Sequence, residues 1–206
     1  SCSPVINMGN NSLVPSGVTT DIVINPRIAF TDVDMGAYEF QSEKQSFWKG
    51  VNFHWNDPQN WCGNTVPTAA TNVLIPNTVT IFPTIEDARE VNKIKLESGT
   101  SLTLTSAGQL IINNTYTNSG SNITNNGTWI MAGSAASQTF PGTAATVGAM
   151  NNLEIKNASG IAFDKSFSIT GTLMPTTGNI NVNNNIAVTL KSSATATASV
   201  AAIQPA

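Results

Sequence analysis

The sequence predicts an all-β chain built as a stacked parallel β-solenoid, a β-helix-like rod. Two observations lead there. Between residues 92 and 190 the chain runs as short Thr- and Asn-rich strands, as in SLTLTS (101–106), QLIINNTYTN (109–118) and GNINVNNNIAVTL (178–190), with Gly and Asn at the corners. Only 10% of the residues are charged while 40% are hydrophobic, so most of the polarity is neutral and lies beside apolar positions that alternate with it. A short strand of this kind buries one face and needs a coil above and below it to complete its core. The product is a rod with long side surfaces, which directs attention to reach and adhesion before catalysis.

Composition narrows the function classes. A net charge of −3 and a pI near 5.0 provide no basic footprint for nucleic acid. No stretch approaches the ~18 consecutive apolar residues of a membrane-spanning helix. The chain opens SCSPVINMGN, without a basic and then apolar leader, so it reads as an internal fragment whose targeting signal lies outside these residues. Cys2 and Cys62 are too few to make a disulfide framework, and a single bridge stays open at this stage.

Residues 1–41 have their own texture: turn clusters at Gly9, Gly17 and Asn25-Pro26, separated by the brief strand-like runs 21–25, 26–30 and 32–40. So short a stretch cannot close a core alone, and it reads as the C-terminal coils of an upstream parallel β-helix. The runs Ser3-Pro4-Val5-Ile6-Asn7, Gly9-Asn10-Asn11-Ser12, Asp21-Ile22, Asn25-Pro26-Arg27 and Asp34-Met35-Gly36-Ala37-Tyr38-Glu39 resemble the closing segment of secreted right-handed parallel β-helix proteins. That resemblance implies an upstream β-helix of the sort found in polysaccharide lyases and surface adhesins, with any catalytic groove upstream as well.

Residues 42–46 form a polar linker, and a new pattern starts at Phe47. Residues 47–91 read as a Trp-rich cap and a connecting loop. Trp48, Trp55 and Trp61 fall within fourteen residues and support two readings. They make an aromatic platform for stacking on glycan rings, or a plug that closes the end of the solenoid. The block resembles a module of bacterial extracellular proteins with the pattern W-x-G, W-x-[DN]-x-x-N-W, G-x-x-V-P-T and V-x-I-P, matched here by Trp48, Gly50, Trp55, Asn60, Trp61, Val66, Pro67, Thr68, Val73, Ile75 and Pro76. In such modules a Cys after the second N-W pairs with one at the next coil; Cys62 fits the first position, whereas Val91 stands at the second. Similar modules occur in large surface proteins exported by the type IX secretion system of Gram-negative cells. The resemblance, which extends to about residue 193, implies an extracellular, cell-surface location and a C-terminal sorting domain beyond these residues. Its implied partners are the outer-membrane translocon and its shuttle protein during export, and surface glycans afterwards.

Within residues 92–206, read as the solenoid proper, Ile94 and Leu96 alternate with Lys93 and Lys95, and Leu102 and Leu104 with Thr103 and Thr105. Turn triplets recur at Ser98-Gly99-Thr100, Asn126-Gly127-Thr128 and Thr170-Gly171-Thr172, predicting irregular coils of roughly 20 residues. Asn113-Asn114, Asn125-Asn126, Asn151-Asn152 and Asn183-Asn184-Asn185 are placed at corners, where amides hydrogen-bond along the rod. The charged run 84–95 permits one helical turn, from the spacing of Ile85, Ala88 and Val91, and reads either as a solvated loop or as a cation or substrate site at Glu86, Asp87 and Glu90.

Catalytic readings lack their parts. His54 is the single histidine, and its neighbour Asp57 supplies no nucleophile in a cleft. One His and two distant Cys do not suit zinc, and nothing brings Asp57, Glu154 or Asp164 together as a glycosidase pair. No cofactor is expected; the Asp32 and Asp34 loop is a weak candidate for structural calcium without EF-hand spacing. Five N-x-[ST] sequons, at Asn10, Asn113, Asn122, Asn126 and Asn157, follow from composition. The leading expectation is a non-catalytic stalk or adhesin segment. The alternative is the terminus and accessory carbohydrate-binding part of a secreted polysaccharide-degrading enzyme, and an ice-binding face ranks below both because no T-x-T recurs coil by coil.

Overall fold

The computed structural model describes residues 3, 5–29, 32–41, 45–134, 136–142, 144–182 and 185–202. It is nearly all β, with 42% strand and 5% helix, and forms a parallel β-solenoid of about five turns. Contacts divide the chain into two compact units, residues 1–46 and 47–206. Cys2, residues 42–44 and Asn183-Asn184 lie outside the described residues.

The second unit holds the ladders. β1 (Ser46–Phe47) leads to β2 (Asn72–Ile75), β3 (Thr84–Ile85) and β4 (Ala88–Val91), which make the first coil, and to β5 (Lys93–Leu96), β6 (Ser101–Leu104) and β7 (Gln109–Ile112), which make the second. The third coil is β8 (Tyr116–Asn118) and β9 (Asn122–Gly133), and the fourth is β10 (Gln138–Phe140) and β11 (Thr146–Asn157). The fifth is β12 (Ile161–Phe163), β13 (Phe167–Ile169) and β14 (Thr172–Thr177); β15 (Ile180–Val182), β16 (Val188–Leu190) and β17 (Ser199–Val200) form the outer layer.

Three faces result. The first stacks β1-β2-β5-β8 and then β10-β12-β15; the second stacks β3-β6-β9-β11-β13-β16; the third stacks β4-β7-β9-β11-β14-β17. Every pairing from β2 onward is parallel. In the third and fourth coils a single twelve-residue strand, β9 or β11, serves both the second and third faces.

Register places like over like. Val73, Ile94 and Tyr116 form one inward column, and Leu110, Trp129, Leu153 and Leu173 form another. Burying each such Leu or Ile contributes about 1.5–3 kcal/mol. Tyr116, Trp129, Phe140, Phe167 and Phe163 continue as an aromatic chain with successive centroids 5.1–5.7 Å apart. Burial pushes the Tyr116 phenol well above its ordinary pKa, so it stays protonated and donates to the Pro141 carbonyl at 3.0 Å.

The corners use Asn and Gly for separate reasons. Asn125 Nδ2 donates to the Asn152 carbonyl at 3.0 Å, Asn151 Nδ2 donates to the Asn126 carbonyl at 2.7 Å, and Asn152 Oδ1 accepts from the Thr172 N–H at 2.9 Å. Each of these bonds ties one coil to the next. At Gly127 the coils approach so closely that a Cβ would lie 2.0 Å from the Gly108 carbonyl oxygen, a clash with backbone that cannot swing away.

Two expectations need correction. The run 84–95 holds no helical turn: it forms β3, β4 and the start of β5, and Ile85 and Val91 are buried. The ladder also begins at Asn72 instead of Asn92, because β2 already pairs in register with β5.

The first unit contains one 3₁₀ turn, Asn11–Leu13, and an isolated bridge between Thr20 and Pro26, with no strand among its described residues before Ser46. The short strands expected over 21–40 do not form there. Buried carboxylates take over the work of a ladder. Asp21 accepts from the N–H groups of Val23, Asn25 and Glu39; Asp34 accepts from Asn7 and Phe40; Glu39 accepts from Asp34 and Ala29. Arg27 closes the clasp, with Nη1 3.0 Å from Glu39 Oε2 and Nη2 donating to the Gly36 carbonyl at 2.7 Å. Burial raises the pKa of Asp21, but the hydrogen bonds from Glu39, Asn25 and Val23 outweigh it and leave the carboxyl below its ordinary value.

Ile24 sits in this clasp with φ at +69°, a left-handed conformation that costs a β-branched residue ~1–2 kcal/mol. It is also 83% exposed, so no core packing offsets that strain. Ile24→Gly is expected to stabilise the first unit by about 0.5–1 kcal/mol after the entropy of a glycine is set against the relief. Slower amide exchange at Val23 and Asn25 in the variant checks this, and unchanged or faster exchange contradicts it.

Candidate functional site

The Trp-rich block, residues 47–71, closes the near end of the solenoid. Its backbone extends two faces. The Trp48 N–H donates to the Leu74 carbonyl at 3.0 Å, and around β3 the Thr84 N–H donates to the Phe53 carbonyl while the Trp55 N–H donates to the Thr84 carbonyl. The indoles then fold inward. Trp48, Trp55 and Trp61 are 0%, 1% and 0% exposed and belong to the same core as Val73, Ile75 and Ile85. Trp61 meets Trp48 edge-on at 5.1 Å and Trp55 at 4.6 Å. Trp48 Nε1 donates to the Ile81 carbonyl and Trp61 Nε1 to the Trp55 carbonyl, at 2.7 and 2.6 Å.

This geometry corrects the glycan-stacking assignment of Trp48, Trp55 and Trp61. A sugar stacks on an open indole face, and all three faces are covered by core side chains. The plug reading is the one their burial supports.

The rest of the motif is a hydrogen-bonded bracket around Asn60. Asn60 is fully buried; its Nδ2 donates to Asn52 Oδ1 at 2.7 Å and to the His54 carbonyl at 2.8 Å, and its Oδ1 accepts from the Asn52 N–H at 2.9 Å. Asn52 Nδ2 in turn donates to Asp57 Oδ2 at 2.6 Å, and Asp57 caps the following turn by accepting from the Gln59 N–H. Gly50 takes φ at +69° where a Cβ would sit 2.8 Å from the Ile81 carbonyl oxygen. Cys62 is disulfide-bonded.

The Asn52 hydrogen bond and then the Gln59 N–H hold the Asp57 carboxyl below its ordinary value of 3.8, outweighing burial, with added help from His54 and Lys49. A depressed pKa means stabilisation that is complete above 3.8 and lost as pH falls through the lower folded value. The cap is therefore expected to loosen only in acid below that value, as a red shift of tryptophan emission. Asp57→Asn should flatten this transition, and an unchanged acid profile in the variant contradicts the assignment.

The other singled-out groups are parts of the scaffold. His54 turns away from Asp57, with Nδ1 2.7 Å from Glu86 Oε2 at the surface. Asp87 pairs with Arg89, and Glu90 accepts from Asn113 Nδ2 at 2.7 Å, so Glu86, Asp87 and Glu90 each have a separate partner. Both Asp34 oxygens are taken by backbone N–H groups, which argues against calcium there, and Asp32 is exposed. Among the described residues no group of three or more His, Cys, Asp or Glu is placed to hold a metal ion, and no helix is long and apolar enough to cross a membrane.

What the solenoid presents outward is polar and ordered. Thr84, Thr103 and Thr124 stack in one row of the second face, and Ser101, Asn122 and Thr146 in another. Neighbouring strands repeat at about 4.8 Å, so each row is a regular line of hydroxyl and amide groups. These rows, more than the Trp cluster, are the accessible surface for a polar ligand. Their side chains were visible in the sequence as the outward positions of an alternating pattern. Comparison with models of known families, with curated proteins and with solved structures returned no match.

Proposed function

We propose that this chain is a non-catalytic segment of a large secreted protein of a Gram-negative cell surface, acting as a stalk or adhesive shaft. In this reading it leaves the cell through the type IX translocon with its shuttle protein, and its first unit closes an upstream β-helix. The observation that carries the proposal is the run of parallel ladders over about five turns, whose backbone bonds lie along the rod and give it stiffness and reach. The bonded state of Cys62 supports an oxidising compartment. Adhesion falls to the Thr, Ser and Asn rows, which offer many weak hydrogen bonds to surface glycans.

A glycan array probed with the chain tests the adhesive part. Capture that falls in the double variant Thr103→Val, Thr124→Val, with an unchanged far-ultraviolet spectrum, supports the rows as the contact surface. Capture that persists there, or release of reducing sugar from a polysaccharide, overturns it.

A further inference from the structure

We propose that the far end of the solenoid is a docking edge for a further parallel β-coil, supplied by a polypeptide segment outside these 206 residues, with apolar side chains at its inward positions. The two ends of the second unit differ in kind. At the near end Val73, Ile75 and Ile85 are covered by the Trp block. At the far end the inward columns are open: Val182, Leu190 and Val200 are 49%, 40% and 51% exposed.

These three side chains belong to the core by register. Val182 lies over Phe163, Leu190 over Ile169 and Val200 over Leu173. Their partners one coil down are buried or half-buried, so the same columns pass from dry to wet within one layer. β15, β16 and β17 each pair on one side, which leaves the outer row of backbone N–H and C=O groups open on all three faces. An apolar surface rimmed by open strand edges is what β-augmentation uses, with main-chain bonds supplying affinity and alternate side chains supplying specificity. The occupant continues the coil-on-coil interface already repeated along the rod, which fixes its direction as parallel.

A second copy fits this edge poorly. The near end of another copy carries the Trp block over its first and second faces, and far-end-to-far-end joining by a two-fold axis would set the edge strands antiparallel, against the pairing of every coil below.

The test uses the intact chain and a fluorescently labelled peptide with the sequence of residues 158–182, one coil of this protein. Fluorescence anisotropy should show saturable binding. Leu190→Lys and Val200→Lys, both at exposed positions, should each weaken it about tenfold or more, while Val51→Lys in the near-end cap leaves it unchanged. Circular dichroism of each variant confirms the fold. The proposal is overturned if the peptide does not bind, if binding ignores the two far-end substitutions, or if the chain dimerises with concentration and those substitutions abolish the dimer.

Discussion

Trp61→Ala is expected to cost the second unit about 3–5 kcal/mol, the range for removing a fully buried large aromatic side chain. The loss has three parts. The indole fills the space between Trp48 and Trp55, and its edge-on contacts with both add about 0.5–1.5 kcal/mol each beyond area burial. Removing it also strips the Trp55 carbonyl of its indole donor. Urea unfolding followed by far-ultraviolet circular dichroism measures the loss, and Phe53→Ala, at a residue 48% exposed, is the control. Equal effects of the two substitutions would mean that the Trp cluster does not close the core. A solenoid responds to an end defect by fraying from that end, since each coil touches only its neighbours. Exchange protection in Trp61→Ala should therefore fall first at β2 and β3 and last at β11.

Arg27→Ala is expected to destabilise the first unit by about 3–5 kcal/mol, because it leaves the Glu39 carboxylate buried without its cation. The Glu39 side chain is fully buried, and Arg27 is the cation that reaches it. Without Arg27 the Gly36 carbonyl also loses its guanidinium donor. The double variant Arg27→Met, Glu39→Gln removes the unpaired charge and should recover much of the loss. Amide exchange at Ala29, Asp34 and Phe40, whose N–H groups point at the clasp, provides the readout. If the single and double variants exchange alike, the ion pair is not what holds these carboxylates in place.

The solenoid was legible in the sequence because burial there has the period of a strand. Lys93–Leu96 and Ser101–Leu104 alternate in the sequence and alternate in burial, and Asn corners such as 125–126 and 151–152 carry the coil-to-coil bonds that short amides suit. The run 84–95 misled for a geometric reason. Ile85 and Val91 both face the core, but a corner lies between their strands, and a corner shifts the phase of a period-two pattern until it imitates a three-residue spacing. The first unit was opaque in another way. Its order comes from Asp21, Asp34, Glu39 and Arg27 bonding to distant backbone, and charged side chains in a turn-rich stretch normally signal solvent. The Trp spacing was conspicuous, but spacing does not say which way an indole faces. The polar rows of Thr and Asn drew attention as scaffold, and their outward side is the surface a ligand meets.

The passage of β9 and β11 through the corner without interruption bears on where the rod can bend. In the second coil the chain leaves the ladder between β6 and β7, at Thr105 to Gly108, so adjoining walls there are joined by a turn. In the third and fourth coils the walls share one strand, and flexing them would mean stretching a continuous row of main-chain bonds. Sideways load should therefore be taken up in the coils on either side of this stiff midsection, making the molecule a splint with yielding ends.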